Sequence, residues 1–285
     1  MIKLIEIFCK IKKNLVMLSK LVKIPLLKRA APSLVLRILK IFKKNRGYFK
    51  IGKTKMFLDF LDPIDKKIIL NQEYEKLEIN YLLNKIKKNK ILNFIDIGAN
   101  CGYYSIYIAN NVSDIIIQSF EPNKELCILQ KNIKFSKNQN LKINNLAISD
   151  VIETKNFYER SISSHSSLYE NPQIEGLSSV KRVHHIKATT LDQYCKENEI
   201  EKIDLLKIDV EGHDFKVLLS SKALLKERRV KLIKVEIFTN NKNLTNIIST
   251  LESFNYRLIG TTNNSFFNKE LKFFDAYFAS SDYVV

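Results

Sequence analysis

Residues of the types that bind a nucleoside stand close together near the middle of the sequence. The run Asp96-Ile-Gly-Ala-Asn-Cys-Gly102 follows an apolar stretch, and its two glycines allow a sharp turn and the close approach of a ligand. Glu121 lies 23 residues after Gly98, where an acidic side chain can bind the two hydroxyls of a ribose. A dinucleotide site would be expected to carry Gly-x-Gly-x-x-Gly, whereas Asp96 and Asn100 suit a nucleoside that bears an amino acid.

These residues must be brought to one edge of a sheet, and the hydrophobic pattern predicts such a sheet. Continuous apolar runs are typical of parallel strands covered on both faces, and stretches with helical periodicity alternate with them. The sequence therefore predicts an α/β domain. Seven strands are expected, at residues 91–97, 115–120, 141–148, 205–210, 232–237, 256–261 and 276–279. Helices are expected at residues 64–90, 103–110, 123–135, 190–198, 215–226 and 244–253.

A polar region at residues 151–188 interrupts this alternation. Within it, only residues 156–158 and the segment around His184 and His185 resemble strands. Long polar loops inside compact domains usually belong to binding sites, so we expect this region to shape the substrate pocket. His165 lies in its serine-rich part.

The N-terminal residues carry nearly all of the net charge. The chain has 47 Lys and Arg and 30 Asp and Glu, and residues 1–56 contain 16 of the former but only Glu6 of the latter. The remaining 31 basic and 29 acidic residues nearly cancel. Apolar residues at steps of three and four predict basic amphipathic helices, so we divide the chain into a helical extension, 1–55, and a main domain, 56–285.

Three kinds of partner suit this extension. A basic amphipathic helix can lie on an anionic membrane surface, pack on the main domain or on a second subunit, or bind the phosphates of a nucleic acid. Nucleic acid suits it least, because few aromatic residues lie among the lysines and the main domain is nearly neutral. An oligomer is therefore one of the open alternatives.

No targeting or membrane-spanning segment stands out. No run approaches the roughly 18 apolar residues that a span needs, and lysines interrupt any signal peptide. We expect a cytoplasmic protein, either free or attached peripherally to the inner face of the membrane. The cysteines are expected to be buried thiols rather than zinc ligands, because they form no Cys-x-x-Cys pair. They are Cys9, Cys101, Cys127 and Cys195.

Four motifs, in this order, resemble those of the FkbM-type methyltransferases. They are Asp96-Ile-Gly-Ala-Asn-x-Gly102, Phe120-Glu-Pro122, Asn145-Leu-Ala-Ile-Ser-Asp150 and Asp204-Leu-Leu-Lys-Ile-Asp-Val-Glu-Gly212. Tyr74-Glu75 and Thr190-Leu-Asp192 also match, and the similarity runs from about residue 56 to about residue 279. The resemblance implies a class I methyltransferase fold, which is Rossmann-like, with a mostly parallel seven-stranded sheet, an antiparallel last strand and helices on both faces. It also implies S-adenosylmethionine as cofactor and methyl transfer to oxygen.

The resemblance further implies which residues hold this cofactor. Glu121 would bind the ribose, and Ala147 and Ser149 would border the adenine. The methionine part would lie against the glycine loop, at Asp96, Gly98, Asn100 and Gly102. Because all of these residues are intact, an enzyme is expected rather than a binding protein that has lost its activity.

Methyl transfer to a hydroxyl requires removal of its proton, so a base should lie nearby. Alternation along the fourth long strand places Asp209 and Glu211 on one side at its carboxyl end, and His213 follows. These three residues are the catalytic candidates, with His165 as a further one. For Glu211 the alternative is orientation of a loop, and for His213 it is exposure to solvent.

The metal and the acceptor are less well determined by sequence. No metal is expected, although Mg²⁺ held by Asp209, Glu211 and Glu236 would acidify a hydroxyl. The expected acceptor is a hydroxyl of a saccharide, a glycan or a related small molecule. The alternative is a nucleic-acid methyltransferase whose basic N-terminal segment binds RNA or DNA.

Overall fold

Strands and helices alternate along most of the chain in the computed structural model, which describes residues 45–52, 54–71, 74–123, 126–162, 165–170, 178–238, 243–262 and 273–283. In chain order the strands are β1 (Arg46–Ile51), β2 (Thr54–Asp59), β3 (Asn93–Ile97), β4 (Ile116–Phe120), β5 (Leu141–Asn144), β6 (Ala147–Ile148), β7 (Glu153–Arg160), β8 (Val180–Thr189), β9 (Ile203–Ile208), β10 (Val230–Phe238), β11 (Tyr256–Thr261) and β12 (Phe273–Ser280). The helices are α1 (Pro63–Asn71), α2 (Lys76–Lys88), α3 (Tyr103–Ala109), α4 (Leu126–Ile133), α5 (Leu191–Glu197), α6 (Asp214–Leu219), α7 (Lys222–Lys226) and α8 (Asn243–Ser253).

Seven of these strands form one mixed sheet, in the order β11-β12-β10-β9-β3-β4-β5. Neighbouring strands are parallel from β5 to β10, and β12 runs antiparallel between β10 and β11. The seven-stranded, mostly parallel sheet with an antiparallel last strand is therefore confirmed. The predicted third strand, 141–148, is wrong in its second half, because the chain leaves this sheet after Asn144 and residues 147–148 pair with β8.

Hydrophobic side chains alternate between the two faces of the large sheet and create two cores. Phe94 and Leu205 face one side, where they pack with side chains of α2, α3 and α4. Ile95 and Leu206, which follow them, pack on the other side with side chains of α5, α6, α7 and α8. Successive side chains of a strand point to opposite faces, so the continuous apolar runs fit a sheet that helices cover on both sides.

An antiparallel hairpin of β1 and β2 precedes the helices. Exposed and buried residues alternate along β1, and Phe49 and Ile51 are buried. A period of two is that of a half-buried strand, so the prediction of a helical extension over residues 1–55 is wrong for residues 46–51. The predicted boundary at residue 56 divides this hairpin. Residues 1–44 of the predicted extension lie outside the described residues.

A second, smaller sheet has the order β6-β8-β7. Strand β8 pairs antiparallel with β7 and parallel with β6, and Phe157, Ile186 and Ala188 form its core. The strands expected at residues 156–158 and around His184 and His185 are therefore confirmed, and both are longer than predicted, so strands β7 and β8 occupy much of the region from 151 to 188 that was expected to be a polar loop. Only two of the ten residues of β8 are buried, so its hydrophobic alternation in the sequence is faint.

The predicted helices form, with two breaks. Residues 64–90 contain two helices, α1 and α2, and residues 215–226 also contain two, α6 and α7. The second break falls at Ser220 and Ser221, whose hydroxyls donate to the carbonyls of Val217 at 2.6 Å and Leu218 at 2.9 Å and so compete with helical hydrogen bonds. Within the described ranges, no helix is long and apolar enough to cross a bilayer.

Candidate active site

A cleft opens where β3, β4 and β9 end, at the carboxyl edge of the large sheet. Side chains of Phe120, Leu146, Ile148 and Phe157 form much of its apolar lining. Its polar lining includes Asn100, Glu121, Asp209, Glu211 and His213. Ligands of open α/β sheets bind at this edge, so the cleft is the candidate active site.

Gly98 joins the loop after β3 to the end of β9. Its φ is +79°, and a Cβ there would lie 1.8 Å from the carbonyl oxygen of Asp209. The backbone N–H groups of Gly98 and Ala99 donate to the carbonyl of Phe120 at 3.1 and 3.0 Å. The space that a side chain would need is thus filled by the chain itself, and the loop is fixed to both neighbouring strands.

Glu121, just after β4, holds the other half of this loop. Its Oε2 accepts the N–H of Asn100 at 2.8 Å, and its Oε1 accepts the N–H of Asn123 at 3.0 Å. Asn100 has a φ of +52°, which an asparagine tolerates better than most residues. Glu121 is 7% exposed and lines the cleft, and a carboxylate can accept more than these two hydrogen bonds.

Lys207 is a buried lysine that contacts both the loop and the candidate base. It is paired with Asp96 across β9 and β3, and its Nζ lies 3.2 Å from Asp96 Oδ1 and 3.2 Å from Asp209 Oδ2. It also donates to the carbonyl of Gly98 at 3.5 Å. Asp96 is fully buried and accepts the hydroxyl of Ser105 at 2.5 Å, so it lies beneath the loop rather than on the cleft wall.

A second buried lysine extends this charged row along the sheet. Lys234 stands next to Lys207 on the adjacent strand, and its Nζ lies 2.6 Å from Asp275 Oδ1. The ring of Tyr104 lies 5.1 Å from each of the two ammonium groups, and its hydroxyl donates to Glu75. Two like charges at such close range are tolerable because carboxylates and the face of an aromatic ring surround them.

The charges around the cleft separate the carboxyl groups into two kinds. Burial raises the pKa of Asp209, but Lys207 and Lys234 outweigh this effect and hold it below its ordinary value. Burial raises the pKa of Glu211 well above its ordinary value, and the charge of Asp209 adds to this effect. The same two causes raise the pKa of Glu236. The result is an ionised Asp209 close to carboxyl groups that favour their neutral form.

The turn after β9 presents Asp209 and Glu211 to the cleft. The side chain of Asp209 is 30% exposed. Glu211 has a φ of +53°, an unfavourable value for a residue with a side chain. The Asp214 carboxylate accepts the N–H groups of Val210 at 3.2 Å and Gly212 at 3.1 Å, which fixes the turn on either side of Glu211.

His213 is buried beside the segment that follows β6. Its Nε2 lies 3.0 Å from the hydroxyl of Ser149, which donates to Asp150 at 3.1 Å. The hydroxyl therefore accepts from Nε2–H, and Nδ1 is left as an acceptor with no partner in the described structure. Burial lowers the pKa of His213 to about 4, with Lys155 adding to the effect. The alternative of a solvent-exposed histidine is wrong, since only 4% of the residue is exposed.

The segment between β7 and β8 reaches back over the cleft. Ser166, Ser167 and Leu168 line it. His165 does not contribute to the lining, and its Nδ1 accepts the N–H of Ser178 at 3.2 Å. Among the described residues between 151 and 188, those that border the cleft are this short segment and Phe157.

The predicted site residues fall into two groups. Gly98, Asn100, Glu121 and Ala147 line the cleft, as do the three catalytic candidates. Asp96, Gly102 and Ser149 lie behind that wall, where they support it. In the described part of the chain, no group of three or more His, Cys, Asp or Glu side chains is arranged to hold a metal ion, so nothing supports the Mg²⁺ alternative. Of the described cysteines, Cys127 is exposed, contrary to prediction.

A family model matches this region of the chain. Residues 96–258, more than half of the sequence, match the methyltransferase FkbM domain. The chain belongs to the FkbM methyltransferase family. The resemblance that the motifs indicated is confirmed, and the protein is a methyltransferase. No sequence among curated proteins matches it.

Solved structures similar to this FkbM-family methyltransferase are distant. One is M. jannaschii TYW2 in complex with AdoMet, 14% identical, covering 83% of this chain and 87% of that one, with a TM-score of 0.44. Another is the precorrin-6y C5,15-methyltransferase from Geobacter metallireducens GS-15, which is 17% identical, covers 75% of this chain and 92% of that one, and has a TM-score of 0.41. A third is magnesium protoporphyrin IX methyltransferase from Synechocystis PCC 6803 with bound SAM, which is 10% identical, covers 78% of this chain and 85% of that one, and has a TM-score of 0.43. Similarity this low does not bear on the substrate.

The buried lysines of this FkbM-family protein are the site residues that sequence reasoning missed. Lys207 and Lys234 each interrupt an apolar run, and both stand on the sheet face that carries Asp96. A lysine inside a fully buried strand needs an acidic partner, so this interruption was a usable signal. The identity of the acidic partner depends on the order of the strands in the sheet, and the sequence pattern of a single strand does not show that order.

Proposed function

We propose that this protein transfers a methyl group from S-adenosylmethionine to a hydroxyl of a saccharide, a glycan or a related small molecule. One observation carries the proposal: Glu121 and the ionised Asp209 line the same cleft, one after β4 and the other after β9. The first suits the ribose of a nucleoside, and the second suits the acceptance of a proton.

The residues of the cleft fit this cofactor. Glu121 lines the cleft, and a carboxylate can accept hydrogen bonds from the hydroxyls of a ribose. Phe120, Leu146 and Ile148 offer an apolar wall to a flat base, and the unpartnered Nδ1 of His213 offers an acceptor at the border of the cleft. When bound, S-adenosylmethionine supplies a methyl group on a positively charged sulfur. The negative charge of Asp209 favours a cation in its surroundings.

Asp209 is the group that best takes the proton of the acceptor hydroxyl. That proton becomes strongly acidic as the oxygen gains its new bond, so a carboxylate with a low pKa is a sufficient base. Lys207 fixes the Asp209 carboxylate by the 3.2 Å contact. Glu211, which favours its neutral form, can donate a hydrogen bond to the acceptor oxygen and orient it.

The segment 166–168 limits the access of water to this chemistry. Backbone hydrogen bonds join Ser167 to Tyr158 of β7, and the Ser166 hydroxyl accepts the N–H of Arg160 at 3.0 Å. Because this segment lies on the cleft wall, together with Phe157 of β7, it is suited to contact an acceptor. Exclusion of water strengthens the electrostatic interactions inside the cleft.

Methyl-labelled S-adenosylmethionine tests the proposal. The full chain is incubated with the labelled cofactor and with separate saccharide, lipid-linked saccharide and RNA fractions of a cell extract, and labelled products are identified by mass spectrometry. We expect an O-methylated sugar, with Asp209→Asn as the inactive control. Label that enters RNA alone would establish the nucleic-acid alternative. Calorimetric binding of the cofactor without label in any saccharide fraction would overturn the choice of acceptor.

A further inference from the structure

Basic and aromatic side chains form a surface patch on the outer face of the hairpin, away from the cleft residues. The strands β1 and β2 and the helix α4 contribute to it. Tyr48 is 41% exposed, and the three lysines of the patch are exposed as well. We call this surface the hairpin patch; it consists of Tyr48, Lys50, Lys55, Phe57, Lys131 and Phe135.

The pairing within the hairpin places like charges together. Tyr48 is opposite Phe57, and Lys50 is directly opposite Lys55. Two lysines in such a cross-strand pair destabilise a sheet by a few tenths of a kcal/mol, roughly. In the described structure no carboxylate lies within ion-pair distance of Lys55 or Lys131. Lys55 and Lys131 therefore keep positive charge on the patch, as expected of a surface that binds an anionic partner.

The aromatic rings of the patch pack against one another and beneath the lysines. Tyr48 contacts Phe57 and Phe135 edge to face, with ring centroids 5.0 and 5.1 Å apart. The ammonium of Lys55 lies 4.9 Å from the rings of both Tyr48 and Phe135, and that of Lys131 lies 4.2 Å from the ring of Phe57. Apolar rings flanked by ammonium groups are suited to the boundary between lipid headgroups and acyl chains.

The basic N-terminal segment directly precedes β1, which contributes Tyr48 and Lys50 to this patch. Residues 1–44 contain 12 Lys and Arg and one acidic residue, and their apolar residues recur at steps of three and four. The described chain begins at Asn45, and β1 starts one residue later. In the chain, a basic amphipathic sequence is thus followed directly by a strand of a basic aromatic surface, and both have the composition of a peripheral membrane contact.

From these observations we infer that the hairpin patch docks on the surface of an anionic phospholipid bilayer. Single-stranded nucleic acid suits the patch less well, because base stacking needs open ring faces and ammonium groups lie over all three rings. Lipid phosphates can bind to the ammonium groups without access to the ring faces, and the rings add apolar area that can contact the lipid. The inference is independent of the methyl acceptor.

The docked surface would have a fixed position relative to the cofactor loop. The buried side-chain amide of Asn132 accepts the N–H of Phe57 and donates to its carbonyl at 3.1 Å. The same amide donates to the carbonyl of Cys101, in the loop after β3, at 2.8 Å. A bilayer bound to the hairpin patch would therefore set the orientation of the cleft, because the Asn132 amide joins the hairpin to the loop after β3.

Vesicle co-sedimentation of the full chain tests the inference. Wild-type protein should bind vesicles of phosphatidylcholine that contain phosphatidylglycerol, bind poorly to phosphatidylcholine alone, and dissociate as salt is raised. The double variant Lys55→Gln/Lys131→Gln should bind the anionic vesicles about 30-fold more weakly, because each lysine near such a surface contributes about 1 kcal/mol.

Lys222→Gln/Lys226→Gln is the matched control. It removes the same charge from α7, on the opposite face of the sheet, and should bind vesicles within about twofold of wild type if the patch makes the contact. Equal losses in the two double variants, or none in either, would overturn the inference. So would a patch variant that loses affinity for single-stranded RNA while its vesicle binding is unchanged. Circular dichroism establishes that each variant is folded.

Discussion

The ammonium of Lys207 lies 3.2 Å from the carboxylate of Asp209, the second residue after it in the chain. Both side chains stand on the same face because the period of a strand is two. The lysine is 2% exposed while the carboxylate opens to the cleft, so a buried cation supports a candidate base from below. The contact between Lys207 and Asp209 therefore affects both the stability of the sheet and the chemistry of the site.

Replacing Lys207 with methionine should strongly destabilise the fold. The substitution leaves Asp96 and Asp209 without their shared cation, and loss of one partner of a buried ion pair costs about 3 to 5 kcal/mol. Thermal denaturation should show a fall in Tm on the order of 10 °C. The exposed Lys202 gives the matched control, because Lys202→Met should change stability by no more than about 0.5 kcal/mol. Equal stability of both variants would contradict the role of Lys207.

Three glycine-to-alanine substitutions should separate steric contact from backbone strain. Gly98→Ala should be the most damaging, because its Cβ would meet the Asp209 carbonyl at 1.8 Å and its φ is +79°. Gly52→Ala meets nothing within 4 Å but keeps a φ of +56°, so about 1 kcal/mol of strain is expected. Gly260→Ala meets only the hydroxyl of Tyr81, at 3.9 Å, and should be tolerated. Urea denaturation measures the order, and a Gly98→Ala variant as stable as Gly260→Ala would be inconsistent with the described loop.

Substitutions at the two cleft carboxylates should affect different kinetic constants. Asp209→Asn should lower kcat by about 10²- to 10⁴-fold, the usual contribution of a positioned base. Glu121→Gln should instead weaken cofactor binding by about 10- to 100-fold, since hydrogen bonds to a charged group contribute about 1.5 to 3 kcal/mol. Calorimetry with S-adenosylmethionine and steady-state kinetics give both numbers. If Asp209→Asn lost cofactor affinity while its kcat was unchanged, the assignment of Asp209 as the base would be wrong.

His213 should make the fold sensitive to mild acid. Its pKa is lowered to about 4 in the folded state, against about 6.5 in the unfolded chain, so between these values the unfolded chain binds more protons. The associated stability is complete above pH 6.5, is lost as the pH falls towards 4, and amounts to about 3 kcal/mol. His213→Gln should flatten this part of a plot of Tm against pH. His185→Gln, at an exposed position, should follow the wild-type curve.

The lowered pKa of His213 also allows a pH profile of the reaction rate to test whether this residue is the catalytic base. An imidazole with a pKa of about 4 is neutral across the physiological range. The rate of methyl transfer by the wild type should therefore not change near pH 6.5 because of His213, and the pH profile of His213→Gln should have the same shape there. A rate change near pH 6.5 that disappears in His213→Gln would make His213 the base in place of Asp209.

Much of the fold could be predicted because the strands are buried on both faces. Their apolar runs are continuous and easily located, and the order of the motifs indicated the FkbM family before any contact was known. The elements with one exposed face were harder to predict. Strand β1 belongs to the basic segment, where a helical extension was predicted, and β8 exposes most of its side chains, so only a short strand around His184 and His185 was predicted there.

The sequence by itself determined the glycine loop, the position of Glu121 after the next strand, and the pair of acids after β9, because each depends on spacing within one or two elements. Tertiary structure alone decided which charges meet. Lys207 contacts Asp96 and the loop at Gly98, and Asn132 joins the hairpin to Cys101, over separations of tens to more than a hundred residues. Periodicity shows which face of its own element a side chain occupies, whereas the order of strands decides what that face contacts.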